Sequence, residues 1–263
     1  MRIEDIDPTR EVAGAADSIL AALDAHGFRY PEPLLQSTRL DAYEAAIERL
    51  LSEGRAYPCS CSRRELLASA PRGRAGLIYL GTCRNGADES VRPATAIRLH
   101  TAGAVVRFSD ALQGEQVCAV DTEIGDFLLR RGDGFVAYQL AVALDDAEQQ
   151  ISEVVRGTDL LDSTFMQCLV LRNLGLKPPA YAHFPVATGA DGSKLSKQTG
   201  APEVDNNSPN INLLRALSFL LQEPPAALKT APLPTIWEWV RENWKPTPLE
   251  GVQSLPESGI MVQ

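Results

Sequence analysis

The segment Lys194-Leu195-Ser196-Lys197-Gln198 places two ammonium groups and a hydroxyl within one short stretch, just after the turn Gly189-Ala190-Asp191-Gly192. A loop of this make-up can close on a polyphosphate, where preorganised cations offset the charge that develops as a phosphate leaves. Taken alone, the same stretch also fits an ordinary solvated basic loop, because charge runs normally lie on the surface. A second constellation is made of thiols. Cys59-x-Cys61 and Cys83 offer soft ligands at a spacing that suits zinc, which takes four ligands in a tetrahedron. His26 and His100 are the nearest histidines and neither sits at ligand spacing, so the best-placed fourth donor is Tyr79, four residues before Cys83. The alternative is three unrelated core thiols, since cysteine is often a small buried apolar residue. Cys118 and Cys168 lie in apolar runs and are expected to be structural. A third group is dispersed. Arg156, next to Gly157 and directly after an apolar run, suits bidentate recognition of a carboxylate or phosphate. Tyr138 can present a hydroxyl and Glu4 can hold an ammonium; together the three would suit an amino acid. Plainer readings exist for two of them, an Arg156–Asp159 pair and a surface acid at Glu4. Asp145-Asp146 could bind a metal, but adjacent acids at a helix end are more often solvated.

Bulk properties limit the classes open to the chain. Its 263 residues, 44% hydrophobic and 22% charged, make an ordinary globular composition with room for one large domain or two small ones. A formal charge of −9 excludes a general nucleic-acid coat, so any RNA contact must come from local basic patches. No apolar run approaches the roughly 18 residues that a membrane span needs. Met1 to Asp5 lacks the apolar core of a signal peptide. Five cysteines are sparse and odd in number, which points to a reducing, cytoplasmic setting without a disulfide scaffold.

The candidate residues need elements to position them. Arg2 to Asp7 alternates like the end of a strand. A helix is expected after Pro8-Thr9, stopping at Gly27, and a second from about Leu40 to Glu53 with Tyr43, Ile47, Leu50 and Leu51 on one face. Ser62 and Glu65 make a capping box for a short helix over Arg64 to Ser69, and Pro71 to Ala75 reads as loop. Strands follow over Ala94 to Leu99, Ala104 to Phe108 and Gln116 to Val120. Then come a short strand at Phe127 to Leu129, a helix over Phe135 to Ala147, a strand over Ile151 to Val155, a helix over about Leu160 to Leu174 and a strand over Tyr181 to Ala187. This alternation predicts an α/β fold with a parallel sheet, whose ligands bind beyond the carboxyl ends of the strands. Two further helices are expected, over about Ile211 to Leu221 and Thr235 to Trp244, the latter with Trp237, Val240 and Trp244 on its core face and Trp239 elsewhere. The tail after Lys245 is expected to be loose. The domain plan is a catalytic unit over 1–205, interrupted at about 57–125 by an insertion carrying the thiols, and a helical C-terminal subdomain with its tail over 206–263.

Four motifs occur in order: Arg2-Ile3-Glu4-Asp5-Ile6-Asp7-Pro8, Tyr138-x-Leu140-Ala141-Val142 through Asp145-Asp146, Val155-Arg156-Gly157-x-Asp159, and Lys194-Leu195-Ser196-Lys197. They resemble the catalytic domain of the class I glutamyl-tRNA synthetases, and within that family the short glutamyl-Q tRNA(Asp) branch, which lacks a large anticodon-binding domain. Cys59, Cys61, Tyr79 and Cys83 look like that branch's zinc set. The resemblance implies a Rossmann-like sheet, incomplete at its N-terminal side, and a monomer that activates L-glutamate with ATP and Mg²⁺ and transfers the glutamyl group to queuosine in the anticodon of tRNA(Asp). By position it implies that Glu4, Tyr138 and Arg156 bind glutamate, Arg156 on a carboxylate. Lys194, Ser196 and Lys197 would bind ATP, with Lys197 as the catalytic cation, and one Zn²⁺ would be structural. The family's first strand and its HIGH-like loop lie upstream of the Arg2–Asp7 motif, where this sequence has one residue; the expectation is that the chain as written activates glutamate poorly. Two other readings stay open: a glutamyl-tRNA synthetase charging tRNA(Glu), and a non-catalytic zinc-bearing RNA-binding remnant.

Overall fold

The computed structural model describes residues 1–87, 90, 93, 95–189, 191–195 and 203–257. Strand β1 (Arg2–Ile3) opens the chain and pairs in parallel with β2 (Leu34–Leu35). Between them lies α1 (Ala15–Ala25), which starts later than expected. Gly14 at φ +77° precedes it, so the stretch from Pro8 forms turns, and α1 buries none of its residues; Ile19 is exposed. Helix α2 (Leu40–Ser52) meets its expected bounds and buries Tyr43, Ala46, Ile47 and Leu50 at the spacing of one helical face. It stops at Gly54, whose φ of +67° lets the Arg55 N–H return to the Leu50 carbonyl at 2.8 Å.

The central region is built from β3 (Ala56–Cys59), α3 (Arg63–Ser69), β4 (Arg72–Gly73), β5 (Gly76–Leu77) and β6 (Ala96–Leu99). It continues with β7 (Val105–Asp110), β8 (Gly114–Ala119), α4 (Val120–Glu123) and β9 (Leu128–Arg130). The expected capping box is present, Ser62 Oγ accepting from the Glu65 N–H and the Glu65 carboxylate accepting from the Ser62 N–H. The expected loop over Pro71 to Ala75 is instead a small antiparallel hairpin, β4–β5, made possible by the tight Gly73–Gly76 pair. Strands β3, β6 and β9 form an antiparallel sheet.

The second half holds α5 (Tyr138–Glu148), β10 (Glu153–Gly157), α6 (Leu161–Asn173), β11 (Ala180–Phe184) and β12 (Val186–Thr188). The fold is α/β, as expected, but its largest sheet is mixed. Parallel β10 and β11, linked through α6, continue into the β7–β8 hairpin in the order β10-β11-β7-β8. Helix α6 lies deep: Phe165, Leu169, Val170 and Leu171 are essentially inaccessible, joined by Leu50, Leu99, Leu129 and Leu140 in one core. Each such side chain contributes about 1.5–3 kcal/mol through burial.

The remaining elements are α7 (Pro209–Phe219), α8 (Leu233–Asn243) and β13 (Ser254–Pro256). The run Tyr181 to Ala187 is not one strand. Pro185 has no N–H for the ladder, so the chain leaves β11 there and resumes as β12, which pairs in parallel with β13. The tail is therefore docked, not loose: Leu249 is fully buried, and Gln113 Nε2 donates to the Val252 carbonyl at 2.9 Å. Helix α8 is also turned from its expected orientation. Ile236, Trp239 and Val240 pack with Leu214, Leu217 and Leu228, while Trp237 Nε1 donates to the His26 carbonyl and Trp244 is exposed. No helix among the described residues is long and apolar enough to cross a membrane.

Candidate active site and thiol centre

A cleft of about 1060 Å³ runs between β1, the start of α5 and the thiol region. Glu4 and Tyr138 both line it. Glu4 leaves β1 and faces water at the mouth, while Tyr138 is the first residue of α5 and half-buried. Exposed though the residue is, desolvation by the surrounding protein pushes the Glu4 carboxyl above its usual range, against the pull of Arg2; the charges of Asp146, Asp145 and Arg156 act on it too. The Tyr138 phenol is raised first by burial and then by the Glu4 charge, with Arg156 opposing. Glu4, Tyr138 and Arg156 thus lie within one electrostatic neighbourhood. Arg156 itself is absent from the cleft lining and sits inside β10, not after it, because Arg156 and Gly157 continue the ladder opposite His183 and Phe184. Its guanidinium is fully engaged on one side: Nε donates to His183 Nε2 at 3.1 Å, and Nη2 donates to Thr164 Oγ1 at 2.7 Å and Gln167 Oε1 at 2.8 Å. The plainer Arg156–Asp159 pair does not form; Asp159 takes Lys194 instead.

The two adjacent aspartates on α5 are neither solvated nor grouped as a metal set. Asp145, with no exposure, accepts from Arg39 Nε at 2.7 Å, Gln36 Nε2 at 2.7 Å and Tyr43 Oη at 2.8 Å. Asp146 pairs with Arg2 Nη1 at 2.8 Å. The Arg2 pair fastens the N-terminal strand to α5, and the Asp145 contacts fasten α5 to Gln36, Arg39 and Tyr43, so that Glu4 and Tyr138 line the same cleft.

The lysine loop begins as expected with a turn. Asp191 Oδ1 accepts from the Ser193 N–H at 2.9 Å, and the Leu195 N–H returns to the Ala187 carbonyl at 2.9 Å. Lys194 is exposed and its ammonium is held by Asp159. To reach a phosphate it must exchange that partner. Ser196 and Lys197 lie outside the described residues.

The thiols come together. The Sγ atoms of Cys59, Cys61 and Cys83 all lie within 4.8 Å of one another, and Cys61 and Cys83 are 3.5 Å apart. Tyr79 Oη is 3.4 Å from Cys59 Sγ and 3.4 Å from Cys61 Sγ, and accepts from the Cys83 N–H at 2.9 Å. A tetrahedral zinc with bonds of about 2.3 Å to sulfur and about 2.0 Å to oxygen spaces its ligands by about 3.5–3.8 Å. The Cys61–Cys83 and Tyr79–sulfur separations are close to this and the other thiol pairs lie within 4.8 Å, so the donor set fits the metal. Arg98, buried, donates from Nε to Cys59 Sγ at 3.3 Å and lies 3.9 Å from the centroid of the Tyr79 ring, where its charge favours an anionic set. Within this set burial pushes Cys61 up to about 11; Cys83 falls to about 7 because hydrogen bonds, first that of Tyr79, outweigh its burial. Cys118 and Cys168 are buried in the main core and apart from this group.

Behind the thiols stands Asp126, which sequence reasoning missed. It accepts from Arg84 Nε at 2.6 Å and Nη2 at 2.7 Å, from the Thr101 N–H at 2.9 Å and Oγ1 at 2.6 Å, and from Tyr57 Oη. Burial raises its carboxyl, but these donors outweigh burial and hold it below the usual range. Gly125, at φ +80°, lies against the Tyr79 backbone, where a Cβ would sit 2.7 Å from both N and O. His183 was missed as well. Its signal was a lone imidazole inside an apolar strand run.

The family described as tRNA synthetases class I (E and Q), catalytic domain, matches residues 1–210. The glutamyl-Q tRNA(Asp) synthetase of Chromobacterium violaceum is 48% identical over 245 residues, covering 93% of this chain and 81% of that protein. That of Aromatoleum aromaticum is 46% identical, covering 93% and 77%. Among solved structures, a glutamate tRNA ligase from Elizabethkingia meningosepticum in complex with its amino acid superposes with a TM-score of 0.71 at 21% identity, over 98% of this chain. A glutamate-tRNA synthetase from Elizabethkingia anophelis gives 0.73, also at 21%. This chain spans 60% and 61% of those two structures, which share its fold.

Proposed function

Since the chain belongs to the glutamyl-Q tRNA(Asp) synthetase family of the class I synthetases, we propose that it activates L-glutamate with ATP and Mg²⁺ and passes the glutamyl group to queuosine in the anticodon of tRNA(Asp). The observation that carries the reading is that an acid and a phenol line one cleft, with the charge of the Arg156 guanidinium acting on both. Glu4 takes the substrate's ammonium, Tyr138 offers its hydroxyl to a polar end, and Arg156 takes a carboxylate. The free α-carboxylate of glutamate attacks the α-phosphorus of ATP; the bond to pyrophosphate breaks and the mixed anhydride forms. No side chain becomes acylated, so the protein's share is positioning and charge stabilisation. Lys194, Ser196 and Lys197 serve the phosphates, Lys197 facing the charge that moves onto pyrophosphate; for Ser196 and Lys197 this assignment rests on the sequence resemblance. The anhydride then yields its acyl group to queuosine and AMP leaves.

Cys59, Cys61, Cys83 and Tyr79 would hold one Zn²⁺, which supplies a structural cross-link and no chemistry. Their spacing and the Arg98 hydrogen bond support this. The deciding experiment is paired: glutamate-dependent ATP–pyrophosphate exchange, then transfer of labelled glutamate to queuosine-bearing tRNA(Asp), the same tRNA lacking queuosine, and tRNA(Glu). Label confined to the queuosine-bearing tRNA is the expected result. Label on tRNA(Glu) would give the chain to ordinary glutamyl-tRNA synthesis, and no exchange at all would remove the activation step.

A further inference from the structure

A buried line of polar groups runs from the β7–β8 hairpin to Arg156. Asp110, at the end of β7, accepts through Oδ1 from the N–H groups of Leu112 at 3.0 Å, Gln113 at 2.9 Å and His183 at 3.1 Å. Its second oxygen faces His183 Nδ1 at 2.5 Å. His183, on β11 and wholly inaccessible, turns Nε2 to Arg156 Nε at 3.1 Å and to Thr164 Oγ1 at 3.1 Å. A guanidinium can only donate. Nε2 must therefore accept, so the ring is neutral and its proton is on Nδ1, where Asp110 receives it. The tautomer is dictated by both neighbours at once.

We propose that His183, set by Asp110, is a positioning residue for substrate carboxylate recognition: it fixes Arg156 by accepting from Nε, so that the guanidinium meets its ligand already oriented. The inference rests on the reading of Arg156 given above. Arg156 is held at Nε and Nη2 by groups on two other elements, β11 and α6, and Nη1 has no hydrogen-bond partner among the described residues. A side chain with this much rotamer freedom loses less on binding when it is ordered in advance. Titration follows the geometry. Burial lowers the imidazole, and the Arg156 charge adds to that against Asp110 and Asp159, so the ring stays neutral near pH 7. The groups around the ring are Asp110, Arg156, Thr164 and the stacked Tyr181.

The experiment uses four substitutions on the full chain, with the glutamate Kd read by calorimetry and fold by circular dichroism. Asp110→Asn retains an oxygen for the three backbone N–H groups and presents an N–H to Nδ1, which moves the ring proton to Nε2 and turns it against Arg156. His183→Asn retains a donor near Asp110 but has nothing at Nε2. His183→Gln retains an acceptor near Nε2. The expected result is glutamate binding weaker by about tenfold or more in Asp110→Asn and His183→Asn, with Asp110→Asn shifting the His183 ring ¹⁵N signals to the Nε2–H form, and binding within about threefold of the parent for His183→Gln. Unchanged affinity in Asp110→Asn with the ring signals inverted would overturn the proposal, as would equal losses in His183→Gln and His183→Asn. Arg156→Lys separates the two layers. If it leaves glutamate binding intact, the pocket reading fails; if it weakens binding while Asp110→Asn does not, only the positioning role fails.

Discussion

Asp126→Ala removes one acceptor from five donors, and its cost can be worked from their surroundings. The carboxylate has no exposed side-chain area, and Arg84 keeps 24% of its own. Truncating one member of a buried ion pair costs about 3–5 kcal/mol; the partial exposure of Arg84 lets water recover some of this, which brings the share to about 2 kcal/mol. Thr101 is wholly inaccessible, and its N–H and hydroxyl each lose their partner. A stranded buried donor costs about 1–3 kcal/mol. The total is about 4–8 kcal/mol, a large part of the 5–15 kcal/mol that typically separates folded from unfolded chains. Asp126→Asn keeps an oxygen for Thr101 and loses the charge facing Arg84, for about half the penalty. Urea unfolding followed by circular dichroism measures both. A loss below about 1.5 kcal/mol in the Ala variant, or a larger loss for Asn than for Ala, would refute the assignment of Asp126 as the acceptor that organises the thiol region.

Four further outcomes are expected. Glu4 must be ionised to hold an ammonium, and burial holds its folded-state pKa above the ordinary 4.5; glutamate affinity therefore falls on acidification from about pH 7 at higher pH than a free carboxylate would give, and Glu4→Gln abolishes the dependence. In stability the same raised value means Glu4 contributes most below 4.5 and less as pH rises through the folded value, whereas Asp110 and Asp126, held below 3.8, contribute fully above 3.8 and lose their contribution as pH falls through the lowered values; acid titration of Asp126→Asn should show a smaller loss than the parent. Elemental analysis should find one zinc per chain, lost in Cys61→Ser and kept in Cys168→Ala, with Tyr79→Phe releasing the metal to a chelator more readily. Gly125→Ala, forced to φ +80° with its Cβ 2.7 Å from the Tyr79 backbone, should cost about 2–5 kcal/mol and lower Tm by about 5–15 °C in calorimetry.

What the sequence made legible was local. The Tyr43-Ile47-Leu50 face, the Ser62–Glu65 box and the Cys59/Cys61/Tyr79/Cys83 spacing follow from local stretches of chain, and each reappears in the structure, with Leu51 only partly buried. What failed depended on partners far away. The tail after Lys245 reads as loose because three prolines say so locally, yet β12 offers it an edge once Pro185 has broken the ladder. Asp145 and Asp146 read as solvated because the arginines that neutralise them, Arg2 and Arg39, lie more than a hundred residues away. Trp237 belongs to the end of α1, a contact no helical period encodes. Arg156 reads by type as a candidate carboxylate or phosphate ligand; that it hydrogen-bonds His183, with Asp110 behind the ring, does not show in the sequence, because three strands must first be laid side by side.

The pairing of β12 with β13 has a mechanical consequence. The polypeptide leaves β12 through the lysine segment, travels out through α7 and α8, and comes back to clasp the strand it left. The lysine segment and the helices α7 and α8 are thus consecutive spans of a chain that closes on itself through a three-residue buckle. A force that displaces the helices is therefore passed to that buckle, a few residues from Lys194.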